Sequence, residues 1–481
     1  MSKTRRAAKT DSPVASAMPS PLGGRDLFGG IFALLFGAFL GLALLKFPNP
    51  PIMENLVVRP TNAFEWALSA WPIEIAYWLL GFVAVVGLVA GPKRPNSPKW
   101  LLVLPAAWLA WQFISGTQTL SSELTKPTLR HFTTCVVCFY LGAFCLRRDR
   151  LAFGFWLMLI VAFGFVIADG FLQHFGGLAA TREHYWAYVY PTQTNVAPEF
   201  IKKMNSDRIF STLFYPNALA GALLLILPVS MAVIWRDLTR LTPAARGFLA
   251  VLLGCGGLAC LFWSGSKGGW LLMLAVGVLA VLFAPVPRKL KVGIITCVAV
   301  AGLAGFALKY AGYFERKATS VSARFDYWRA AVHTVRTRPA FGTGPGTFAI
   351  AYLQVKRPES EMARLAHNDY LQQASDSGVL GFATYTAFIV GALLSGRPRT
   401  NNGGTDLIRL AIWLGLLGWG AQGLLEFGLY VPALAWCAFA IMGTFVAQGP
   451  ELPKPSQSAS FERSFGPVRP PSSPRLSDFS R

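Results

Sequence analysis

The chain has 481 residues, 53% hydrophobic and only 14% charged, about half the charge fraction of a soluble domain. That composition excludes an ordinary soluble enzyme. The net charge of +21 would suit a nucleic-acid partner, but its confinement to particular loops assigns it to membrane topology and requires none.

Residues 1–26 are polar and rich in Pro and Ser, which predicts a disordered cytoplasmic segment. A full-length apolar span follows without a convincing cleavage site, so no cleaved signal peptide is expected. Apolar runs of about 20 residues then recur from Leu27 to Val446, each long enough to cross a hydrocarbon core. About twelve spans are predicted, near 27–46, 70–90, 100–117, 129–146, 151–172, 211–235, 246–263, 268–285, 290–309, 377–395, 406–425 and 430–448. Helix is expected throughout, because such continuous runs lack the alternation of a membrane barrel. The expected class is all-α, a polytopic membrane protein with its membrane domain over 27–448.

With twelve spans, the loops bearing Lys93, Arg94 and Lys99, then Arg147, Arg148 and Arg150, fall on one side. Arg236, Arg240 and Arg246, then Arg288, Lys289 and Lys291, then Arg397, Arg399 and Arg409 join them there, with both termini. The positive-inside rule makes that side cytoplasmic. Residues 449–481, rich in Pro, Ser and Arg, predict a disordered cytoplasmic tail. The seven cysteines all lie within apolar spans; Cys135 and Cys138 have metal-like spacing but no partner pair, and read as small core residues.

Two long loops fall outside, 174–208 and 310–376. In the first, Tyr185, Trp186, Tyr188 and Tyr190 suit either an interfacial belt or a sugar-stacking surface. Arg208, at its end, can snorkel to headgroups or present a bidentate fork to phosphate. A shorter outer turn, SGSKGG, holds Lys267, an interfacial anchor or a further cation. Glu426, at an outer helix end, is one of very few acidic groups near the membrane, where such groups face protein or water.

The second loop reads SARFDYWRAAV, RPAFGTGPGTF and LAHNDYLQQ. Ser320 or Ser322 is expected to cap a helix running to about Thr337. Phe325, Trp328, Val332 and Val335 recur at helical spacing as one apolar face, with Arg324 one turn before Trp328. Gly342, Gly344 and Gly346 then make a tight turn, either plain or open to a phosphate or sugar at its backbone amides. His367 is expected to share a short helix face with Tyr370 and Leu371, flanked by Asn368 and Asp369. It is either structural or the proton-transfer group that a cation cluster on the same side would serve.

These motifs resemble the O-antigen ligase family and its Wzy-like polymerase relatives. The resemblance rests on Arg208 before Pro216 and Asn217, on SGSKGG, on Arg324-x-x-x-Trp328 leading to Gly342, Gly344 and Gly346, and on His367 to Gln372 followed by Gly378 and Gly381. It covers roughly residues 200–440. Lys267 departs from the pattern, since the family usually has arginine there and lysine lacks the planar fork.

The resemblance implies a GT-C-like helical fold with a helical periplasmic loop between the ninth and tenth spans. It implies a multi-pass protein of the bacterial inner membrane with a periplasmic active site and no cofactor. The implied donor is an undecaprenyl-pyrophosphate-linked glycan, and the acceptor is a sugar hydroxyl of a lipid A core. No DxD stands in an outer loop and no HExxH or Cys/His cluster occurs, so arginines are expected to stabilise the leaving pyrophosphate. Arg208 and Arg324 take that role, with Lys267 in support. His367 is either the base for the acceptor hydroxyl, with inversion at the anomeric carbon, or a donor to the leaving phosphate. Asn368, Tyr370, Trp328 and Gly344 are the expected substrate contacts. The alternatives are a polymerase that elongates a second lipid-linked repeat, a protein O-oligosaccharyltransferase, or a lipid-linked glycan transporter. The last would want paired ionisable groups near the midplane, and Glu74 and Asp169 are not so arranged.

Overall fold

The computed structural model describes residues 24–146, 152–192, 201, 204–213, 215–315, 319–358, 360–398 and 406–448. Both tails expected to be disordered lie outside these residues, except 24–26, as do Arg147, Arg148, Arg150 and Arg399. Among the described residues the chain is all-helical.

The described α-helices of eight or more residues are α1 (Gly24–Lys46), α2 (Ile73–Ala90), α3 (Lys99–Gly116), α4 (Ser122–Tyr140), α5 (Ala152–Leu172), α6 (Pro216–Asp237) and α7 (Pro243–Ser264). There follow α8 (Lys267–Phe283), α9 (Arg288–Glu315), α10 (Thr319–Thr337), α11 (Phe348–Val355), α12 (Asp369–Ser395), α13 (Leu407–Gln422) and α14 (Pro432–Ala447). Each of the twelve expected spans has its helix, while α10 and α11 occupy the second long loop. Among the described residues, eight stretches are long and apolar enough to cross a bilayer, and α8, α13 and α14 are apolar but shorter. The chain is an integral membrane protein.

Position in the bundle follows from which residues are small. α14 is buried from Pro432 to Val446, and at 16 residues it rises only about 24 Å against a hydrocarbon core of about 30 Å. It can be short because protein surrounds it. α4 and its π-helical extension Leu141–Cys145 lie against it so closely that a Cβ on Gly443 would sit 2.0 Å from the Phe139 carbonyl oxygen, and one on Gly142 2.3 Å from that of Ala440. Such approach is the usual device where lipid offers no hydrophobic drive to associate. α9 is the opposite case, with none of its apolar stretch buried in protein.

The start of α10, where Ser320 or Ser322 is expected to cap it, borders residues 316–318, which lie outside the described residues. Two expectations about the second loop are corrected. The buried stripe of α10 is Tyr327, Ala330, Ala331 and Thr334, whereas Phe325 and Val332 are exposed. Both stripes have helical spacing, and in a membrane protein an apolar stripe can face outward as readily as inward. The short helix expected around His367 begins only at Asp369, with Asn368 as its N-cap: the Asn368 side chain accepts from the Leu371 N–H at 2.9 Å. His367 therefore precedes the helix and shares no face with Tyr370. α12 is broken at Gly378 (φ 69°), where the Val379 N–H donates to the Pro339 carbonyl at 2.9 Å. A Cβ there would lie 2.1 Å from the Ala340 oxygen, so only glycine lets the loop seat in the break.

A methyl group between α14 and α4 should be poorly tolerated. Gly443→Ala is expected to destabilise the protein by about 1–3 kcal/mol, seen as earlier thermal unfolding in detergent. An unfolding midpoint equal to that of the unaltered protein would contradict the packing described.

Candidate active site

The centre of the site is a carboxylate. Glu426 lies in the turn between α13 and α14 and is 5% exposed. Its Oε1 accepts from Arg324 Nη2 of α10 and, at 2.6 Å, from Asn217 Nδ2 of α6. Its Oε2 pairs with His367 Nδ1 at 3.1 Å. A carboxylate this buried needs such partners, and they come from three parts of the chain.

The turn that carries Glu426 is stitched to the start of α12. The Asp369 N–H donates to the Gly423 carbonyl at 2.7 Å, the Leu429 N–H donates to Asp369 Oδ2 at 3.0 Å, and Asn368 Nδ2 donates to the Leu424 carbonyl at 2.9 Å. His367 is thereby set opposite Glu426 with φ at 50°, a left-handed conformation that costs a non-glycine residue roughly 1–2 kcal/mol. Phe427 meets the imidazole edge-on at 4.7 Å and Tyr327 stacks against it at 5.8 Å. Donation of an Nδ1–H to the carboxylate would leave Nε2 as the ring nitrogen turned to other partners.

The cations converge from separate elements. Arg208 donates through Nε to the Ser264 carbonyl at 2.7 Å and through Nη2 to Asn217 Oδ1 at 2.8 Å. Asn217 thus links Arg208 to Glu426. Burial pulls the Arg208 guanidinium below its ordinary range, and the Glu426 carboxylate opposes that pull. SGSKGG makes the room: Gly265 is left-handed (φ 62°), and a Cβ on it would lie 3.1 Å from Arg208 Nε. Ser266 caps α8, accepting from the Gly269 N–H at 3.3 Å, and this sets Lys267 at the helix start with its Nζ 5.0 Å from the Tyr310 ring centroid. Arg208 and Arg324 both act on the charge of Lys267, so the three share one field. Lys309 adds a fourth cation, over Phe262.

The remaining expected contacts stand back from this cluster. Gly344 is buried, its N–H donating to the Asp376 carbonyl at 2.8 Å, and a Cβ on it would meet Thr119 Oγ1 at 2.1 Å. The Gly346 N–H likewise goes to Asp376 Oδ2 at 2.9 Å. The glycine turn thus commits these two amides to the protein. Tyr370 donates its hydroxyl to the Gly420 carbonyl at 2.9 Å, and both polar ends of the Asn368 amide are taken as described. Trp328 packs beside the small core of Tyr327, Ala331 and Tyr352. Among the described residues, no three His, Cys, Asp or Glu side chains are arranged to hold a metal ion.

Comparison with known proteins falls on the same region. Residues 248–386 match the family model described as O-antigen ligase. The matched stretch contains Lys267, Arg324 and His367, while Arg208, Asn217 and Glu426 complete the cluster from outside it. The chain is also 28% identical over 167 residues to a protein of Haemophilus influenzae described as uncharacterized, a match covering 30% of this chain and 41% of that relative. The match therefore spans less than half of that relative's length.

Sequence reasoning noted Glu426 for its rarity but gave it no partner, and it missed Lys309, Tyr327 and Phe427. Removing the carboxylate should leave Arg324 facing a pocket built for an ion pair. Glu426→Ala is expected to lower unfolding stability by about 3 kcal/mol, as when one partner of a buried pair is lost, and Glu426→Gln by less. Equal unfolding midpoints for Glu426→Ala and the unaltered protein would refute the central role of the carboxylate.

Proposed function

We propose that the protein is a glycosyltransferase of the O-antigen ligase type, moving a glycan from an undecaprenyl-pyrophosphate donor to a sugar hydroxyl of a lipid A-core acceptor. One observation carries this reading: Glu426 binds a histidine on one oxygen and an arginine on the other, with further cations alongside. His367 Nε2 takes the proton of the acceptor hydroxyl as its oxygen forms a bond to the anomeric carbon. The bond from that carbon to the pyrophosphate oxygen breaks, and the leaving group departs with the electron pair. Single displacement inverts the anomeric centre. Arg324, Arg208 and Lys267 take up the charge that develops on the pyrophosphate, where fixed cations in a desolvated site act most strongly.

The outer, periplasmic placement rests on the helix ends. The N-terminal end of α6 carries Asn217, and its other end carries Arg236. α7 delivers Ser264 at one end and begins beside Arg246 at the other. The cation-rich loops thus lie at the end opposite Glu426, where the positive-inside rule sets the cytoplasm.

With purified protein, lipid-linked donor and a lipid A-core acceptor, His367→Ala is expected to reduce turnover by about 10²–10⁴-fold while donor affinity stays near normal. Added imidazole should restore part of the rate. Near-normal turnover would sink the base assignment. Chelation of divalent metals should leave the rate unchanged, and its loss would show that the cations do not suffice. Donor alone should give no product; a ladder of longer glycans without added acceptor would establish a polymerase instead.

A further inference from the structure

The helices that present the active site also frame a large concavity at their far ends. On α6, Asn217 and Arg236 are separated by about 29 Å along the axis. α13 likewise offers Gln422 to the site, its Nε2 donating to the Asn217 carbonyl at 2.8 Å, and begins at the far end beside Asp406. Around these far ends lies a cavity of about 1650 Å³.

Its lining is divided by chemistry. Phe144, Phe153, Trp156, Leu157, Ile408 and Ile412 form an apolar wall. Among the described residues the rim holds five cations, Lys93, Arg94, Arg236, Arg240 and Arg409, against two carboxylates, Asp237 and Asp406. Arg236 engages both carboxylates, at 3.8 Å and 2.6 Å, so positive charge is in excess over the rest of the rim. The rim loop is fixed to the bundle: the Lys93 N–H donates to the Phe144 carbonyl at 2.8 Å and the Asn96 N–H to that of Ala447 at 3.0 Å.

We propose that this cavity binds an anionic phospholipid, with its phosphate diester against Lys93, Arg94 and Arg240 and its acyl chains along Phe153, Trp156 and Leu157. Charge complementarity selects an anion, and basic pockets between helix ends are suited to lipid phosphates. The apolar wall selects an amphiphile, since a soluble phosphate compound would leave it facing water. Residues 449–481 follow α14 directly, but they carry five Lys and Arg against three acidic residues and would bring like charge to the rim. The site is independent of the transfer chemistry at Glu426 and stands or falls separately from it.

The test uses the full-length protein purified in detergent, mixed with phosphatidylglycerol or phosphatidylcholine and examined by native mass spectrometry. Phosphatidylglycerol is expected to be retained in preference by on the order of tenfold, with the preference shrinking as salt rises. The combined substitution Lys93→Gln, Arg94→Gln and Arg240→Gln should abolish that preference. Should the triple variant fail to fold, Arg240→Gln alone, on an exposed loop, should reduce it. Equal retention of both lipids, or an unchanged preference in the variants, would overturn the proposal. So would a preference that emerges only after removal of residues 449–481, or displacement of phosphatidylglycerol by undecaprenyl phosphate.

Discussion

The site depends on one buried carboxylate that cannot be left unpaired. Glu426 sits at an outer helix end with almost no exposure, so its charge must be matched by groups reaching it from elsewhere. Arg324 arrives on α10, Asn217 on α6, and His367 from just before α12. Satisfying Glu426 therefore fixes the relative position of three segments that are distant in sequence. The left-handed backbone at His367 is held by the same network, because Asn368 and Asp369 tie the start of α12 to the turn bearing the carboxylate.

This arrangement also divides the electrostatic labour. The carboxylate orients His367 and supports Arg324, and Asn217 carries its influence to Arg208, whose guanidinium is disfavoured by burial. Without the Glu426 charge, three cations in one field would repel one another. With it, they stand ready for an anion that can replace part of its role, which is what a pyrophosphate leaving group would offer. The short, fully enclosed α14 and the close glycine contacts to α4 give the turn at Glu426 a rigid base.

Much of this was legible in the sequence. Continuous apolar runs gave the helices, and SGSKGG marked a turn between two of them, while the left-handed Gly265 and the Ser266 cap were seen only in the structure. Arg208, Arg324 and His367 were singled out by motif, and they do converge. The face of α10 was misread because Phe325 and Val332 follow the same helical spacing as Tyr327, Ala331 and Thr334, and composition cannot tell lipid from protein. The turn at Gly342, Gly344 and Gly346 left two readings open, since loop amides advertise binding equally well whether or not the protein uses them. Here Asp376, a buried residue 30 positions after Gly346, takes the Gly346 amide. Glu426 stood out as a rare acid, but its partners were visible only once α6, α10 and α12 came together.

The most direct test is a structure of the protein in a lipid environment with undecaprenyl pyrophosphate bound. The account predicts the pyrophosphate within hydrogen-bonding distance of both Arg324 and Arg208, with His367 Nε2 facing the space beside it and Nδ1 still on Glu426. Pyrophosphate bound away from these arginines, or His367 turned from the carboxylate in the complex, would contradict it.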